Sequence, residues 1–487
     1  MHACVRRCSA LLLLLTLACG RGAPDGAPAT GREPTARATT GLTALDRYVA
    51  SPDPHFAWKV ARQMPAPEGM RATLLEMTSQ QWLTEREVER PLWTHWITVL
   101  HPHTVRSDVA LLFITGGSNE RQPPAHAPAW LADIARATGT VAAELRLVPN
   151  QPVVFQDDPQ RKPRVEDDFI AYTWDKYLRT GDERWPARLP MTKSAVRAMD
   201  AVTAFAATAD GGNSTVARFV VSGASKRGWT AWTTAAVDRR VVGLVPAVID
   251  MLNVEPSFVH HYRAYGDWSD AVDDYVEHRI MDWMGTPEFR ALMAIEEPYE
   301  YRSRLSMPKL LLNATGDQFF LPDSSRFYVG DLEGETHLRY VPNTSHALDK
   351  SDALETLHAF YGAIVDGRPR PDVQWRFEDD GAIRVVTKER PEQVLLWQAT
   401  NPKARNFRLD VLGPAFRASP VAPSDPNTWE GRIEAPPAGW TAYFVEMTFT
   451  GGGKYPLKVT SGVRVVPETL PFAAPQPRRA IAAAAAR

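Results

Sequence analysis

The feature that most constrains the fold of this chain is an alternation of short apolar runs with longer amphipathic segments, from residue 42 to about residue 367. The run from Val109 to Ile114 contains no polar residue, as expected for a strand that is buried on both faces. An early antiparallel strand is predicted around 93–99, and apolar residues recur at helical spacing between 196 and 205 and between 354 and 364. Further candidates for buried strands are 141–145, 219–222, 241–249, 310–313 and 338–341. Strands that alternate with helices predict an α/β fold with a mostly parallel central sheet.

Two segments depart from this alternation. Residues 251–308 are long, aromatic and of helical character, and connections of this length usually serve a function. We interpret the segment as a lid over the strand ends, and the alternative is a peripheral insertion that only packs. From 369 to 471, short alternating runs separated by Pro, Asn and Gly predict a small β-sandwich. The predicted α/β domain therefore spans 41–368.

The N-terminus predicts export. Two arginines precede an apolar stretch, Ala10 to Ala18, that is too short to span a bilayer, so we predict a signal peptide over 1–18. The segment that ends at Cys19 resembles a bacterial lipobox, which predicts lipidation of Cys19 and an envelope lipoprotein. A plain secretory signal with a chance cysteine is the alternative. Residues 19–40 cannot bury a core and are interpreted as a flexible tether.

Composition excludes several functions. All three cysteines precede residue 20, which excludes a disulfide framework and a cysteine nucleophile in the body of the protein. The net charge of −2 and the lack of a basic run give no reason to expect nucleic acid as a partner. No phosphate loop or dinucleotide fingerprint is present, and the two histidine pairs lack acidic partners at metal-binding spacing. We expect no cofactor and no metal, a membrane contact only through Cys19, and a flexible tail over 472–487. The oligomeric state stays open.

The strongest chemical signal is Gly223-Ala224-Ser225, which follows a β-branched strand and precedes a helical stretch. This is the context of a nucleophile elbow, in which a serine projects its hydroxyl above the sheet. The sequence departs from Gly-x-Ser-x-Gly, because Arg227 occupies the second glycine position and Gly228 follows it. We predict that Ser225 is a nucleophile, and the alternative is a helix N-cap.

A serine nucleophile needs a base, and the base needs an orienting carboxylate. Asp317 follows one predicted strand and His346 follows the next, in the Ser, Asp, His order of this kind of site. Both should therefore lie at the carboxyl edge of the sheet. Asp250, which ends an earlier strand, is the competing acid.

Two backbone N–H groups are predicted to bind an oxyanion. One belongs to Lys226, directly after the serine, and the other to Gly117 in the loop after the Val109 strand. Farther along, Glu166-Asp167-Asp168 predicts a helix N-terminus, with an ammonium site as the alternative.

With these residues in view, the chain resembles the PhoPQ-activated pathogenicity-related protein family. The resemblance implies an α/β-hydrolase core and an exported bacterial protein, and it implies no substrate. It also implies that the displaced glycine is a property of the family. The resemblance rests on 78–82 (TSQQW), 113–117 (FITGG), 171–174 (AYTW), 190–193 (PMTK), 222–229 (SGASKRGW) and 313–320 (NATGDQFF).

These observations predict an exported serine hydrolase that cleaves an ester or amide bond of a small-molecule or peptide substrate through Ser225, His346 and Asp317. Two alternatives stay open. One is an exopeptidase that acts on short peptides, and the other is a non-catalytic surface binding protein on a hydrolase scaffold.

Overall fold

The computed structural model describes residues 41–451 and 453–476. The predicted signal peptide, the lipidation site at Cys19 and the tether up to residue 40 lie outside the described residues, as does the tail from 477 onward. Within the described ranges, no helix has both the length and the apolar composition needed to cross a membrane.

Strands and helices alternate through the first three quarters of the chain. The strands are β1 Ala57–Met64, β2 Met70–Gln81, β3 Leu92–Pro102, β4 Val109–Ile114, β5 Ala142–Leu145, β6 Arg218–Ala224, β7 Val241–Ala247, β8 Lys309–Ala314 and β9 Thr336–Val341. The α-helices are α1 Ala44–Ala50, α2 Ala129–Thr138, α3 Glu166–Thr180, α4 Arg188–Ala206, α5 Lys226–Val237, α6 Val254–Tyr265, α7 Asp273–Glu277, α8 Pro287–Glu296, α9 Ala353–Val365 and α10 Leu409–Leu412.

The last part of the described chain is mostly strand. These strands are β10 Val373–Phe377, β11 Ala382–Thr387, β12 Gln393–Asn401, β13 Arg417–Pro420, β14 Pro423–Asp425, β15 Thr428–Arg432, β16 Trp440–Phe449, β17 Leu457–Thr460 and β18 Arg464–Val466.

The central sheet confirms the predicted fold class. Its order begins β1-β2-β3-β5-β4-β6-β7-β8-β9, and the six strands from β5 to β9 in this order are mutually parallel. The first three strands are antiparallel. With helices between the parallel strands and a serine on the turn after β6, this is an α/β-hydrolase fold.

Burial explains the apolar runs. Every residue of β5 and β8 is buried, and β4 is buried at all but one position. The strand order reverses between β4 and β6, because the chain runs from β4 to β5 on one side and then to β6 on the other. In open α/β sheets, such a reversal leaves a crevice at the carboxyl ends of the two strands.

The insertion between β7 and β8 is helical, as the sequence predicts. It comprises α6, α7 and α8 with three short 3-10 helices, and it packs against α3. The rings of Tyr275 in α7 and Trp174 in α3 lie 5.4 Å apart between centroids. The insertion therefore lies against α3.

The C-terminal strands build the second layer that the sequence predicts, but they also extend the central sheet. Four of them form a separate sheet in the order β10-β11-β15-β14, whereas β17, β16, β12 and β13 continue the central sheet beyond β9. The link is the pairing of Thr460 in β17 with Leu338 in β9. Buried residues of both layers, such as Val385 and Val445, share one apolar cluster. The sandwich is thus continuous with the central sheet.

Candidate functional site

Ser225 occupies the sharp turn between β6 and α5. Its backbone has φ 56° and ψ −129°, which is sterically unfavourable for any residue with a Cβ atom. A Cβ on Gly223 would lie 2.6 Å from the carbonyl oxygen of Arg227, and one on Gly228 would lie 2.9 Å from the oxygen of Gly223. The close approach of the strand and the helix therefore requires both glycines. Gly228 lies one position later than the second glycine of Gly-x-Ser-x-Gly, but it allows the same close packing.

Arg227, which stands where the second glycine is usual, has a defined place. Its guanidinium donates two hydrogen bonds to Glu166, at 2.7 and 2.6 Å, and one to the oxygen of Val148 at 2.5 Å. The group passes against Gly116, where a Cβ would lie only 2.2 Å from a guanidinium nitrogen. Arg227 therefore connects the loop after β5 to the start of α3 and lies against the loop after β4.

Asp317 and His346 are in hydrogen-bond contact at the carboxyl ends of β8 and β9. The imidazole Nδ1 lies 2.8 Å from the Asp317 Oδ2, and the backbone N–H of Phe319 donates to the other carboxylate oxygen at 2.8 Å. The two loops are also joined by a hydrogen bond from Gly316 N–H to the Thr344 oxygen, at 3.0 Å. A carboxylate at Nδ1 holds that proton in place and leaves Nε2 as the basic nitrogen.

Ser225 faces the same region as this pair. It lines one cavity together with Phe319 and Phe320, and the rings of these phenylalanines lie 4.4 and 5.9 Å from the His346 ring. Among the described residues, the Ser225 hydroxyl makes no hydrogen bond, and none joins it to His346. The structure thus brings His346 and Asp317 into contact and places the serine nearby with its hydroxyl free.

Asp250, the alternative acid, is engaged elsewhere. Tyr328 and Tyr340 donate hydrogen bonds to its two carboxylate oxygens, at 2.6 and 2.5 Å. Burial raises the pKa of Asp250 to about 8, although the two tyrosine hydrogen bonds act to lower it. In this arrangement the carboxylate on His346 belongs to Asp317.

The two N–H groups predicted to bind an oxyanion are free of acceptors within the described part of the chain. That of Lys226 belongs to the first residue of α5, where N–H groups have no partner inside the helix. Gly117 has φ 145°, and a Cβ there would lie 2.8 Å from a methyl of Leu147. Its carbonyl accepts a hydrogen bond of 3.1 Å from the side chain of Gln151. Gln151 thereby fixes the peptide plane next to the free N–H.

Glu166 and Asp167 begin α3, as the sequence predicts, and they face the start of α5. The Lys226 ammonium lies 2.9 Å from Glu166 and 3.0 Å from Asp167. Burial raises the pKa of Glu166, but the hydrogen bond from Arg227 and the charge of Lys226 outweigh it and hold that pKa well below its usual value. Gln151 also donates to Glu166 at 2.6 Å. These paired charges lock the two helix starts together.

The cavity beside Ser225 is small and mostly apolar. Its volume is about 40 Å³, and ten of its thirteen lining residues are apolar or aromatic. The floor includes Trp174 and Trp229, whereas Phe258 and Tyr275 from the insertion form a wall. No cluster of three or more His, Cys, Asp or Glu residues in the described ranges has a geometry that could hold a metal ion.

Comparison with known proteins identifies the family of the chain. Residues 45–408 match the PhoPQ-activated pathogenicity-related protein family. The chain belongs to this family. A relative from Dictyostelium discoideum, named autocrine proliferation repressor protein A, is 35% identical over 459 residues, which cover 88% of this chain and 92% of the relative.

Solved structures similar to this family member include two esterases. An acetyl xylan esterase from Paenibacillus sp. R4 is 16% identical, with a TM-score of 0.45, over 68% of this chain and 96% of the esterase. A glucuronoyl esterase from Solibacter usitatus is 13% identical, with a TM-score of 0.40, over 66% and 90% of the two chains.

In this PhoPQ-activated pathogenicity-related protein, sequence reasoning missed the contribution of Gln151 and the tie between Arg227 and Glu166. Gln151 lies in a loop without periodicity, and nothing local marks it as a bridge between Gly117 and Glu166. The Arg227 substitution in the serine motif was the only local signal, because a buried guanidinium requires an acidic partner.

Proposed function

We propose that this protein is a serine hydrolase that cleaves an ester or amide bond through an acyl-enzyme on Ser225. The observation that carries the proposal is the 2.8 Å hydrogen bond between His346 and Asp317, formed beside a serine in a strained strand-to-helix turn. Strained backbone of this kind persists only where the surrounding structure enforces it, and it concentrates at active sites.

In the proposed reaction, His346 Nε2 removes the proton of the Ser225 hydroxyl as the oxygen attacks the substrate carbonyl. In this proposal the hydroxyl and the imidazole come into contact when substrate binds, as catalytic hydrogen bonds often tighten only in the complex. The imidazolium then protonates the leaving group, while Asp317 stabilises its positive charge. Water activated by His346 releases the acyl group and restores the serine.

The N–H groups of Lys226 and Gly117 are proposed to hold the negative charge that develops on the carbonyl oxygen. Both have no competing acceptor among the described residues, and the Lys226 N–H lies at the N-terminus of α5, which favours negative charge. Loss of one such donor generally lowers kcat by about 10²- to 10³-fold.

The test is covalent labelling of the mature protein by a fluorophosphonate probe. We expect the wild-type protein to be labelled and Ser225→Ala to be unlabelled. Ser222→Ala is the matched control, because Ser222 lies inside β6, three residues before Ser225, and its hydroxyl donates to the Val245 oxygen. A folded wild-type protein that resists the probe would contradict catalysis and favour a binding function. Chromogenic acyl and amino-acyl substrates then separate an esterase from an exopeptidase.

We also propose that the protein is exported and lipidated at Cys19. Support comes from the two arginines, the short apolar stretch and the lipobox-like segment. Metabolic labelling with an alkyne fatty acid should mark the wild-type protein and not Cys19→Ser. Equal labelling of both would contradict the anchor.

A further inference from the structure

The cavity beside Ser225 has a composition that selects substrates. Within the described part of the chain, its charged lining residues are Asp167 and Lys226. These two are paired at 3.0 Å, and the hydroxyl of Tyr275 donates to Asp167 at 3.0 Å. The charges of the cavity are thus already compensated, and a charged substrate group would find no free counter-ion among its lining residues.

The pairing of these charges matters because both side chains are largely shielded from water. Only 8% of the Lys226 side chain and 16% of the Asp167 side chain is exposed to solvent. A carboxylate or ammonium that entered would lose its water without gaining a counter-ion, which is strongly unfavourable. The apolar walls, by contrast, favour a hydrocarbon group.

Position relative to the reacting atoms assigns the cavity to the acyl side of the substrate. In an acyl-enzyme, the acyl group stays on the serine oxygen, and Ser225 itself lines the cavity. The leaving group departs past the imidazole that protonates it, and His346 is not part of the cavity lining within the described chain. The space that Ser225 lines and His346 does not is therefore the space for the acyl chain.

Size limits the acyl chain. The cavity volume is about 40 Å³, whereas a single water needs about 10–15 Å³ on the same kind of measure. That leaves room for roughly three groups of the size of a water or a methylene. Val272 and Phe258 of the insertion close the space, and both are only 3% exposed.

We propose that this cavity is an acyl pocket for short, uncharged, apolar acyl groups, with its length limit set by the insertion between β7 and β8. The proposal rests on the proposed function and specifies its substrate class. The acyl group enters with its carbonyl carbon at Ser225, and its far end contacts the insertion.

The charge preference is tested with three p-nitrophenyl esters of similar length: butyrate, the succinate monoester and 4-aminobutyrate. We expect kcat/KM for butyrate to exceed that for either charged ester by on the order of 100-fold. Equal values for butyrate and a charged ester would overturn the proposal. The leaving group is the same in all three, so differences report the acyl side.

The length limit is tested by Val272→Ala, with Val276→Ala as the matched control. Both residues lie in the insertion, but Val276 is 36% exposed and does not line the cavity. We expect Val272→Ala to raise the octanoate-to-butyrate ratio of kcat/KM by about tenfold, the scale of a methylene or two in a pocket. Phe258→Ala should raise it further. The same ratio in Val272→Ala and Val276→Ala would overturn the inference, and circular dichroism confirms that each variant is folded.

Fluorophosphonate labelling separates failure of this inference from failure of the proposed function. If Ser225 is not labelled, the hydrolase proposal itself fails. If Ser225 is labelled but the enzyme prefers charged or long acyl groups, only the acyl-pocket inference fails.

Discussion

Replacement of Ser225 by glycine should stabilise the protein while it abolishes catalysis. The backbone at this position has φ 56° and ψ −129°, the conformation of the first central residue of a type II′ turn. Glycine adopts it without a steric penalty, whereas serine and alanine carry a Cβ that opposes it. Ser225→Ala removes the hydroxyl and keeps this strain, so the two variants differ only in the backbone term.

Two opposing effects set the difference in unfolding free energy between Ser225→Gly and Ser225→Ala. A backbone held in this kind of region costs about 1–3 kcal/mol, which glycine recovers. Glycine also makes the unfolded chain more flexible, which offsets about 0.4–1 kcal/mol. We therefore expect Ser225→Gly to exceed Ser225→Ala in unfolding free energy by about 0.5–2 kcal/mol. Because a chain of this length has a large unfolding entropy, that difference shifts Tm by only roughly 0.5–2 °C.

Differential scanning calorimetry of the two variants under identical conditions provides the measurement. The same pair of substitutions at Ser222 is the control, because that residue lies inside β6, where glycine is less favourable than alanine by about 0.5–1 kcal/mol. The order of stability should thus reverse between the two positions. A Ser225→Gly variant that melts at or below Ser225→Ala would refute the strained turn.

Three further predictions concern the surrounding residues. Asp317→Asn should lower kcat by about 10⁴-fold with the fold intact, which is the effect expected when a triad loses its orienting carboxylate. In the same ester assay, Asp250→Asn should leave kcat/KM nearly unchanged. Burial raises the pKa of Asp250 to about 8 from an unfolded value near 3.9, so its folded state keeps a proton that the unfolded state lacks. Asp250 therefore contributes its full stability below about pH 4, and this contribution is lost as pH rises to about 8. The free energy of unfolding should fall by up to about 1.4 kcal/mol per pH unit in this range. Calorimetry of Asp250→Asn should show a weaker pH dependence between about pH 4 and pH 8. Gly116→Ala should cost about 1–3 kcal/mol and slow probe labelling, because the new Cβ overlaps the clamped Arg227 guanidinium, whereas Gly330→Ala, with open space around it, should cost little.

The sequence predicted the features that depend on neighbouring residues in the chain, such as strands, helices and the serine turn. Val109 to Ile114 is entirely apolar because a parallel strand between two helical layers has no solvent face, and β4 has these same bounds. The serine turn was recognisable because a β-branched strand, small residues and a helical stretch follow one another in the chain. The insertion was recognisable as a long, aromatic segment of helical character that interrupts the alternation of strands and helices.

Only the tertiary structure showed which residues from distant parts of the chain contact each other. Asp250 and Asp317 both follow buried strands and look equivalent in sequence, and only the three-dimensional arrangement shows that two tyrosines engage the first while His346 contacts the second. Arg227 is accommodated because Gly116, more than a hundred residues earlier, has no side chain. The continuity of the C-terminal strands with the central sheet rests on one pairing between β17 and β9. Hydrophobic periodicity specifies which face of an element is buried, but it does not specify the partner against which that face packs.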